Sequence, residues 1–207
     1  ELRKQERELI TKDATIREIH HRVKNNLQTV ASLLRIQSRR SKSAEAKESL
    51  EQAMRRVSAI ALVHDTLSEG LNQDVNFDEV FDRILMLATE VASSLNTSIK
   101  TLIDGKFGQL RSEIATPLAV ALTEIVTNAV EHGLSDRSGV VAVNAERKQK
   151  QLLITVSDNG KGLTDGKVGA GLGTQIICTL IEGELRGSIH WSSPNEGGAR
   201  VAISVPL

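Results

Sequence analysis

Residues 2–40 contain neither glycine nor proline, and apolar side chains recur at Leu2, Leu9, Ile16, Val23 and Val30, seven apart. A weaker row runs beside them: Gln5, Lys12, Ile19, Asn26 and Leu33. This spacing predicts a long helix with a heptad seam, apolar in its middle and polar at its start. Ser41, Lys42 and Ser43 form a polar break. A second helix follows, with Leu50, Met54, Val57, Ile60, Ala61, His64 and Leu67 on one stripe, and it stops at Gly70. Two long helices with a short connection predict an antiparallel hairpin. Each stripe is narrow, so one hairpin buries little apolar surface, whereas two copies in a four-helix bundle bury more. Residues 1–70 are therefore expected to form a homodimer.

After Gly70 the pattern changes. Asn76-Phe-Asp-Glu79 has the form of a capping box that opens a helix to about Ser93. Thr97–Asp104 has strand character, and Ser112 is the expected N-cap of a helix through His132. Gly139–Arg147 and Gln151–Ser157 alternate as a hairpin would, Gly171–Glu182 reads as helix, and Gly187–Ser192 and Ala199–Val205 read as two last strands. Helices alternating with mostly antiparallel strands predict an α/β sandwich, one sheet under a helical layer, across 71–207. The whole is thus an α+β chain in two parts, 1–70 and 71–207. It opens on Glu1, directly in a helical pattern, and reads as a piece of a longer protein.

Composition narrows the function. Lys plus Arg and Asp plus Glu both total 26, so there is no global basic footprint for nucleic acid. Residues 1–70 hold 14 basic and 10 acidic side chains and the remainder 12 and 16, a mild asymmetry that screening weakens. Only Phe77, Phe81, Phe107 and Trp191 are aromatic, too few for a single-strand stacking platform. One cysteine, Cys178, excludes an internal disulfide and fits a reducing, cytoplasmic setting. The most apolar run, Ile114–Val130, is interrupted by Thr116, Pro117, Glu124 and Asn128 and is not read as a membrane span.

The adjacent histidines of "IREIHHRVKNNLQTV" (16–30) then stand out. With Ile16 and Val23 at heptad position a, His20 falls at e, flanking the seam, and His21 at f, facing solvent. An exposed imidazole with a pKa of about 6.5 is largely neutral at pH 7 and nucleophilic. His21 is thus either an ordinary surface residue or an accessible nucleophile. His64, on the apolar stripe of the second helix, is expected to be a packed, hydrogen-bonded residue. Two glycine clusters favour the second reading of His21. "VSDNGKGL" (156–163) ends a strand on Asp158, and "GAGLGTQII" (169–177) opens a helix with free N–H groups where a phosphate can sit. Neither is a P-loop or a strict dinucleotide fingerprint. Ahead of them in the chain, "LTEIVTNAVEHG" (122–133) puts Glu124, Asn128 and His132 four apart on one face of an otherwise apolar helix. Buried polar groups in a row are costly unless they meet a ligand or partners.

The ordered set "HHRVKNNLQ", E-x-x-x-N-A-x-E-H-G, D-N-G-K-G and G-x-G-L-G-T resembles a bacterial sensor histidine kinase over nearly the whole chain. The first motif is similar to an H-box of the HRVKNNLQ subclass related to the HWE kinases, without the W-x-E signature. The others are similar to the N box and glycine boxes of the GHKL ATP-binding fold. The resemblance implies that His21 accepts the phosphoryl group, that Asn128 binds Mg²⁺, and that Glu124 orients a metal-bound water or acts as a base. It further implies that His132 lies near the phosphates or ribose and that Asp158 selects adenine. Gly160 and Gly162 would pass close to the base. Gly169, Gly171, Leu172, Gly173 and Thr174 would surround the phosphates, under a short lid at Thr164–Val168. ATP and Mg²⁺ are the implied cofactors. The implied partner is a response regulator receiver domain, of the ANTAR type in the nearest subclass, docked around residues 20–60.

Three departures accompany the resemblance. Arg22 stands where an acidic residue usually follows the acceptor, leaving Glu18, one turn earlier, as a candidate base. Glu131 stands where a Lys or Arg is common. Gly197-Gly198-Ala199 lacks the usual Thr. Lys161 is a loop lysine within reach of a phosphate or simply exposed. Two other functions share these features: a GHKL serine kinase of the anti-sigma type, and a non-catalytic nucleotide-sensing dimerisation module. Chaperone, gyrase and mismatch-repair ATPases share the boxes but need a transducer domain.

Overall fold

A computed structural model describes residues 2–69, 74–135, 137–164, 167–194 and 197–207, with the side chains of 2–11 and of Glu69 outside the description. Helix α1 (Leu2–Arg40) and helix α2 (Ala44–Glu69) form the expected antiparallel hairpin. Leu2, Gln5 and Leu9 of the seam, and the stop at Gly70, lie outside the described residues.

The seam itself differs from the heptad expectation. Besides Lys24, the less exposed positions of α1 are Ile16, His20, Val23, Leu27, Ala31, Leu34 and Ser38, which repeat by eleven rather than seven. A straight α-helix drifts by about 20° per heptad, and an eleven-residue repeat, at about 3.67 residues per turn, follows it more closely. Ile16 and Val23 therefore face α2 while Val30 has rotated away. Val30, Ile19, Leu33 and Ile36 are exposed apolar side chains flanking that packed face.

Helix α2 is packed on two sides. One side meets α1 through the contacts Ser38–Glu51, Lys24–Asp65 and His20–His64. The other carries Ala59, Val63 and Leu67, all buried, and Val63 and Leu67 join the core of the C-terminal part. Each such side chain contributes about 2 kcal/mol through burial. The stalk and the following domain therefore share apolar surface rather than being joined by a bare linker.

The C-terminal part has a helical layer over one sheet, as expected. Strand β1 (Asp74–Asn76) pairs with β3 (Gln109–Arg111) in a small two-stranded sheet that the sequence pattern did not predict. Helix α3 spans Phe77–Ser94 and α4 spans Ser112–Asn128. The main sheet has the order β2-β4-β5-β7-β6, with β2 (Ile99–Gly105), β4 (Gly139–Lys148), β5 (Gln151–Asp158), β6 (Ser188–Ser192) and β7 (Arg200–Pro206). Among the described residues only the β2–β4 pair is parallel. Its inner face alternates as a one-sided sheet must: Val141, Val143 and Ala145 on β4, Leu152, Ile154 and Val156 on β5, Val201, Ile203 and Val205 on β7, all buried. Phe77, Phe81 and Phe107 form a ring cluster with centroids 4.8 and 5.1 Å apart, closing one end of this core.

One predicted helix start holds with different cap bonding, and one shifts by a residue. Asn76 is the N-cap of α3 but makes no side-chain cap bond; its Nδ2 donates to Glu79 Oε1 at 2.6 Å. The Asp78 carboxylate instead accepts the N–H groups of Phe107 and Gly108, so the box ties the helix to the next loop. Ser112 is the first residue of α4, and Arg111 is the N-cap. Ser112–Gly133 is long and apolar enough to cross a membrane by length and composition, but it is mostly buried inside the protein as a core helix. The half-buried Cys178 has a thiol that burial, and then Glu182, push upward, away from the reactive thiolate.

Candidate active site

The apolar residues that make α4 a core helix also fix the one face where it carries polar groups. Regular helix ends at Asn128 and gives way to a π-helical turn, Ala129–Gly133, closed by the Leu134 N–H on the Ala129 carbonyl at 3.0 Å. A wide turn of this kind takes in an extra residue and redirects the side chains after it. Glu124 and Asn128 both precede this turn and keep their common face, and only His132 follows it. Asn128 and His132 line a cavity, whereas Glu124 turns toward α2. Likewise the predicted helix Gly171–Glu182 is α5 (Leu172–Cys178) followed by a π-helical turn, Thr179–Glu184.

The cavity has a volume of about 720 Å³, the size of a nucleotide site. Asn128, His132, Asp158, Gly162, Gly169, Gly171, Leu172, Gly173 and Thr174 line it, so the structure gathers most of the predicted binding residues from three separate stretches. Thr164, Lys167 and Val168 of the predicted lid line it too, and residues 165 and 166 lie outside the described ones. Gly160 is not in the lining. It packs where a side chain would overlap the Gly133 carbonyl, and its N–H donates to Asp158 Oδ1 at 2.8 Å. Gly169 and Gly171 have open space around them, so no packing among the described residues demands glycine there.

Asp158 sits at the end of β5, nearly buried, and accepts a second bond from the Ala199 N–H at 3.4 Å. Burial pushes its carboxyl above the ordinary value, opposed by the Gly160 and Ala199 N–H groups and by Arg137. Its loop is pinned by Arg137, which donates to the Asn159 and Gly160 carbonyls, and by Asn159 Oδ1, which accepts the Val140 N–H. The Lys161 ammonium donates to Ser135 Oγ at 3.0 Å. Sequence reasoning missed several cavity residues: Val156, Ile177, Trp191, Ala199 and Val201, which are scattered strand and helix positions, and Glu48 and Gln52, which come from α2. Only the folded arrangement places these last two.

The Glu124 carboxylate is almost fully buried. Arg56 of α2 grips both its oxygens, Nε to Oε1 and Nη2 to Oε2, each at 2.9 Å. Farther along the same chain segment, Glu131 pairs with Arg55 at 2.9 Å. Burial pushes the Glu131 carboxyl up, chiefly opposed by Arg55. A Cβ on Gly173 would lie 3.1 Å from Glu124 Oε2 and 3.8 Å from Asn128 Nδ2, so both N-box side chains flank the glycine loop. Among the described residues no group of three or more His, Cys, Asp or Glu is placed to hold a metal. The Asn128 carboxamide oxygen at the cavity wall fits Mg²⁺, a hard ion that takes one or two protein oxygens together with substrate phosphates.

On the stalk, His21 is exposed and His20 is half-buried. The His20 and His64 Nδ1 atoms are 3.0 Å apart, so one ring donates and the other accepts. Burial lowers both pKa values below 6.5, and His20 lowers that of His64 further. Glu18 pairs with Arg22 at 2.8 Å on the exposed side of α1.

A helical hairpin presenting an outward imidazole, packed against an α/β sandwich with an acidic floor and glycine-rich wall, is the arrangement of a histidine kinase. The chain belongs to this family. Residues 18–92 match the family described as "Histidine kinase", and residues 113–207 match the "Histidine kinase-, DNA gyrase B-, and HSP90-like ATPase" family. Among individual proteins, all of the chain aligns at 47% identity with the sensor histidine kinase PdtaS of Mycobacterium tuberculosis, and at 46% with that of Mycolicibacterium smegmatis. It spans 42% of the length of each of these relatives. The solved histidine kinase domain of the Erythrobacter litoralis EL346 blue-light activated histidine kinase superposes with a TM-score of 0.63. That alignment has 26% identity and covers 97% of this chain and 94% of that one.

Proposed function

We propose that this chain is the catalytic core of a sensor histidine kinase that transfers the γ-phosphoryl group of ATP to His21 and then to an aspartate of a response regulator receiver domain. The observation that carries the reading is the contrast between the two adjacent imidazoles. His20 is tied to His64, and His21 stands exposed on α1. A nitrogen of His21 forms the new N–P bond, the bond from the γ-phosphorus to its bridging oxygen breaks, and ADP leaves. Glu18 is the candidate acceptor of the proton the ring sheds, and it must part from Arg22 to serve.

Phosphoryl transfer asks mainly for positioning and charge stabilisation. Asp158 would hold the adenine amino group, and His132 and the Gly169–Thr174 loop would surround the phosphates. Asn128 would hold Mg²⁺, which neutralises phosphate charge when bound, and Glu124 would orient a metal-bound water or act as a base. The exposed apolar side chains Ile19, Val30, Leu33 and Ile36 support a homodimer through residues 1–70, since a second copy would cover them. A cytoplasmic setting and an ANTAR-type regulator complete the reading, the latter on the likeness to PdtaS.

The test is incubation with labelled ATP. The wild type should take up an acid-labile, base-stable label, His21→Gln should lose it, and His20→Gln should retain it. An acid-stable label would favour a serine kinase, and a label that survives His21→Gln would remove the assignment.

A further inference from the structure

The nucleotide-binding part is held against the stalk by ion pairs at both ends. Near the cavity, Arg56 grips both oxygens of Glu124 and Arg55 holds Glu131. Farther along α2, Asp65 accepts Arg83 of α3 at 2.8 Å. Between α2's start and the arginines, Glu48 and Gln52 form part of the cavity wall. One face of α2 thus closes over the nucleotide site.

This arrangement is incompatible with transfer to the same chain's His21 in two respects. The Glu124 carboxylate has both oxygens on a guanidinium, so it is not available to a metal-bound water or a proton. The reach is also wrong. The cavity meets α2 at Gln52, whereas His20 meets α2 at His64. Twelve residues of helix separate these levels, about 18 Å at 1.5 Å per residue. A productive approach requires reacting atoms about 3 Å apart. The contact is also imperfectly satisfied: Arg55 Nε is buried with no hydrogen-bond partner among the described residues. Such an orphan donor makes the docked state easier to leave.

We propose that Arg55 and Arg56 form a latch that holds the kinase in a resting state by neutralising the N-box carboxylates, so that loading of Mg²⁺–ATP and opening of the latch favour each other. This rests on the assignment of His21 and of the cavity made above. Arg56 and a metal-bound water compete for the same carboxylate, and coupling of this kind is reciprocal.

Trp191, the only tryptophan, lines the cavity and reports occupancy. The intact chain is titrated with Mg²⁺–ATP while its fluorescence is followed, and the initial rate of His21 labelling is measured in parallel. Arg55→Gln/Arg56→Gln should bind about tenfold more tightly and label about tenfold faster, within the usual range of coupling between sites. Arg83→Gln, remote from the cavity, should move both readings the same way by about threefold. Arg56→Lys, which keeps charge but not the two-pronged grip, should fall between wild type and the double variant. If the double variant does not melt cooperatively, Arg83→Gln decides the matter. A wild type that binds nucleotide, with variants that bind no more tightly and label no faster, overturns the latch. A wild type that binds none overturns the site assignment and the latch with it.

Discussion

Gly197 and Gly198 offer a sharp test of how the nucleotide floor is built. Both have positive φ, +94° and +81°. An alanine at either position carries the cost of a left-handed backbone, about 1–2 kcal/mol. Their surroundings differ. Around Gly197 a Cβ would meet no atom within 4 Å among the described residues. At Gly198 it would overlap the Asp158 carbonyl oxygen, sit 2.7 Å from the carbonyl carbon and 3.0 Å from Asn159 Cα. These are backbone atoms and cannot swing aside as a side chain can. Relief requires the strand carrying Asp158 to separate from the segment carrying Ala199, adding about 1–3 kcal/mol of overpacking strain. Gly197→Ala should therefore cost about 1–2 kcal/mol and leave nucleotide affinity within about twofold. Gly198→Ala should cost about 2–5 kcal/mol and lose most of the affinity, because the Ala199 N–H and the Asp158 carboxylate are displaced together. Denaturant titration gives the stabilities, and quenching of Trp191 by Mg²⁺–ATP gives the affinities. Equal losses in the two variants would refute the packing argument, since the shared backbone cost would then account for everything.

The remaining expectations concern the stalk. His20 and His64 have folded pKa values below the ordinary 6.5, so below that pH the unfolded chain takes up protons that the folded pair resists. The stability of the hairpin should be full above about pH 7 and decline as the pH falls below about 6.5, ceasing to decline once the folded pair itself protonates. Thermal melts from about pH 8 to about pH 5 check this, and His64→Gln should flatten the slope; an unchanged slope would show that the pair is not its source. Leu33→Glu, at one of the exposed apolar positions, should leave the helical circular dichroism intact and convert a dimer to single chains in sedimentation equilibrium. A variant that still dimerises would place the interface elsewhere.

The glycine clusters, Asp158 at a strand end and the polar triplet on an apolar helix are legible in the amino-acid order, because each is a local conflict with ordinary core or surface composition. The hairpin, the strands of the main sheet and the exposure of His21 follow from periodicity and turn residues. What escapes is whatever depends on a second element. The small β1–β3 pair has three residues on each side, too short to show a period. The π-helical turn after Asn128 looks like continuing helix in sequence, since every residue from Ala129 to His132 suits either geometry. The heptad row at Ile16, Val23 and Val30 looks like one seam and is in fact two faces, because a straight helix does not keep a seven-residue stripe facing one neighbour.

The chain's own order of residues determined which groups exist for chemistry and which helix or strand bears them: periodicity and turn chemistry act over a few residues and need no partner. Tertiary structure alone decided that Glu124 faces Arg56 rather than the cavity, that Glu48 and Gln52 wall a nucleotide site, and that His20 is tied to His64. The Arg56–Glu124 and His20–His64 contacts join residues 68 and 44 positions apart. Pairing at that separation is set by how α2 lies across α4 and α1, a packing choice that no local pattern encodes.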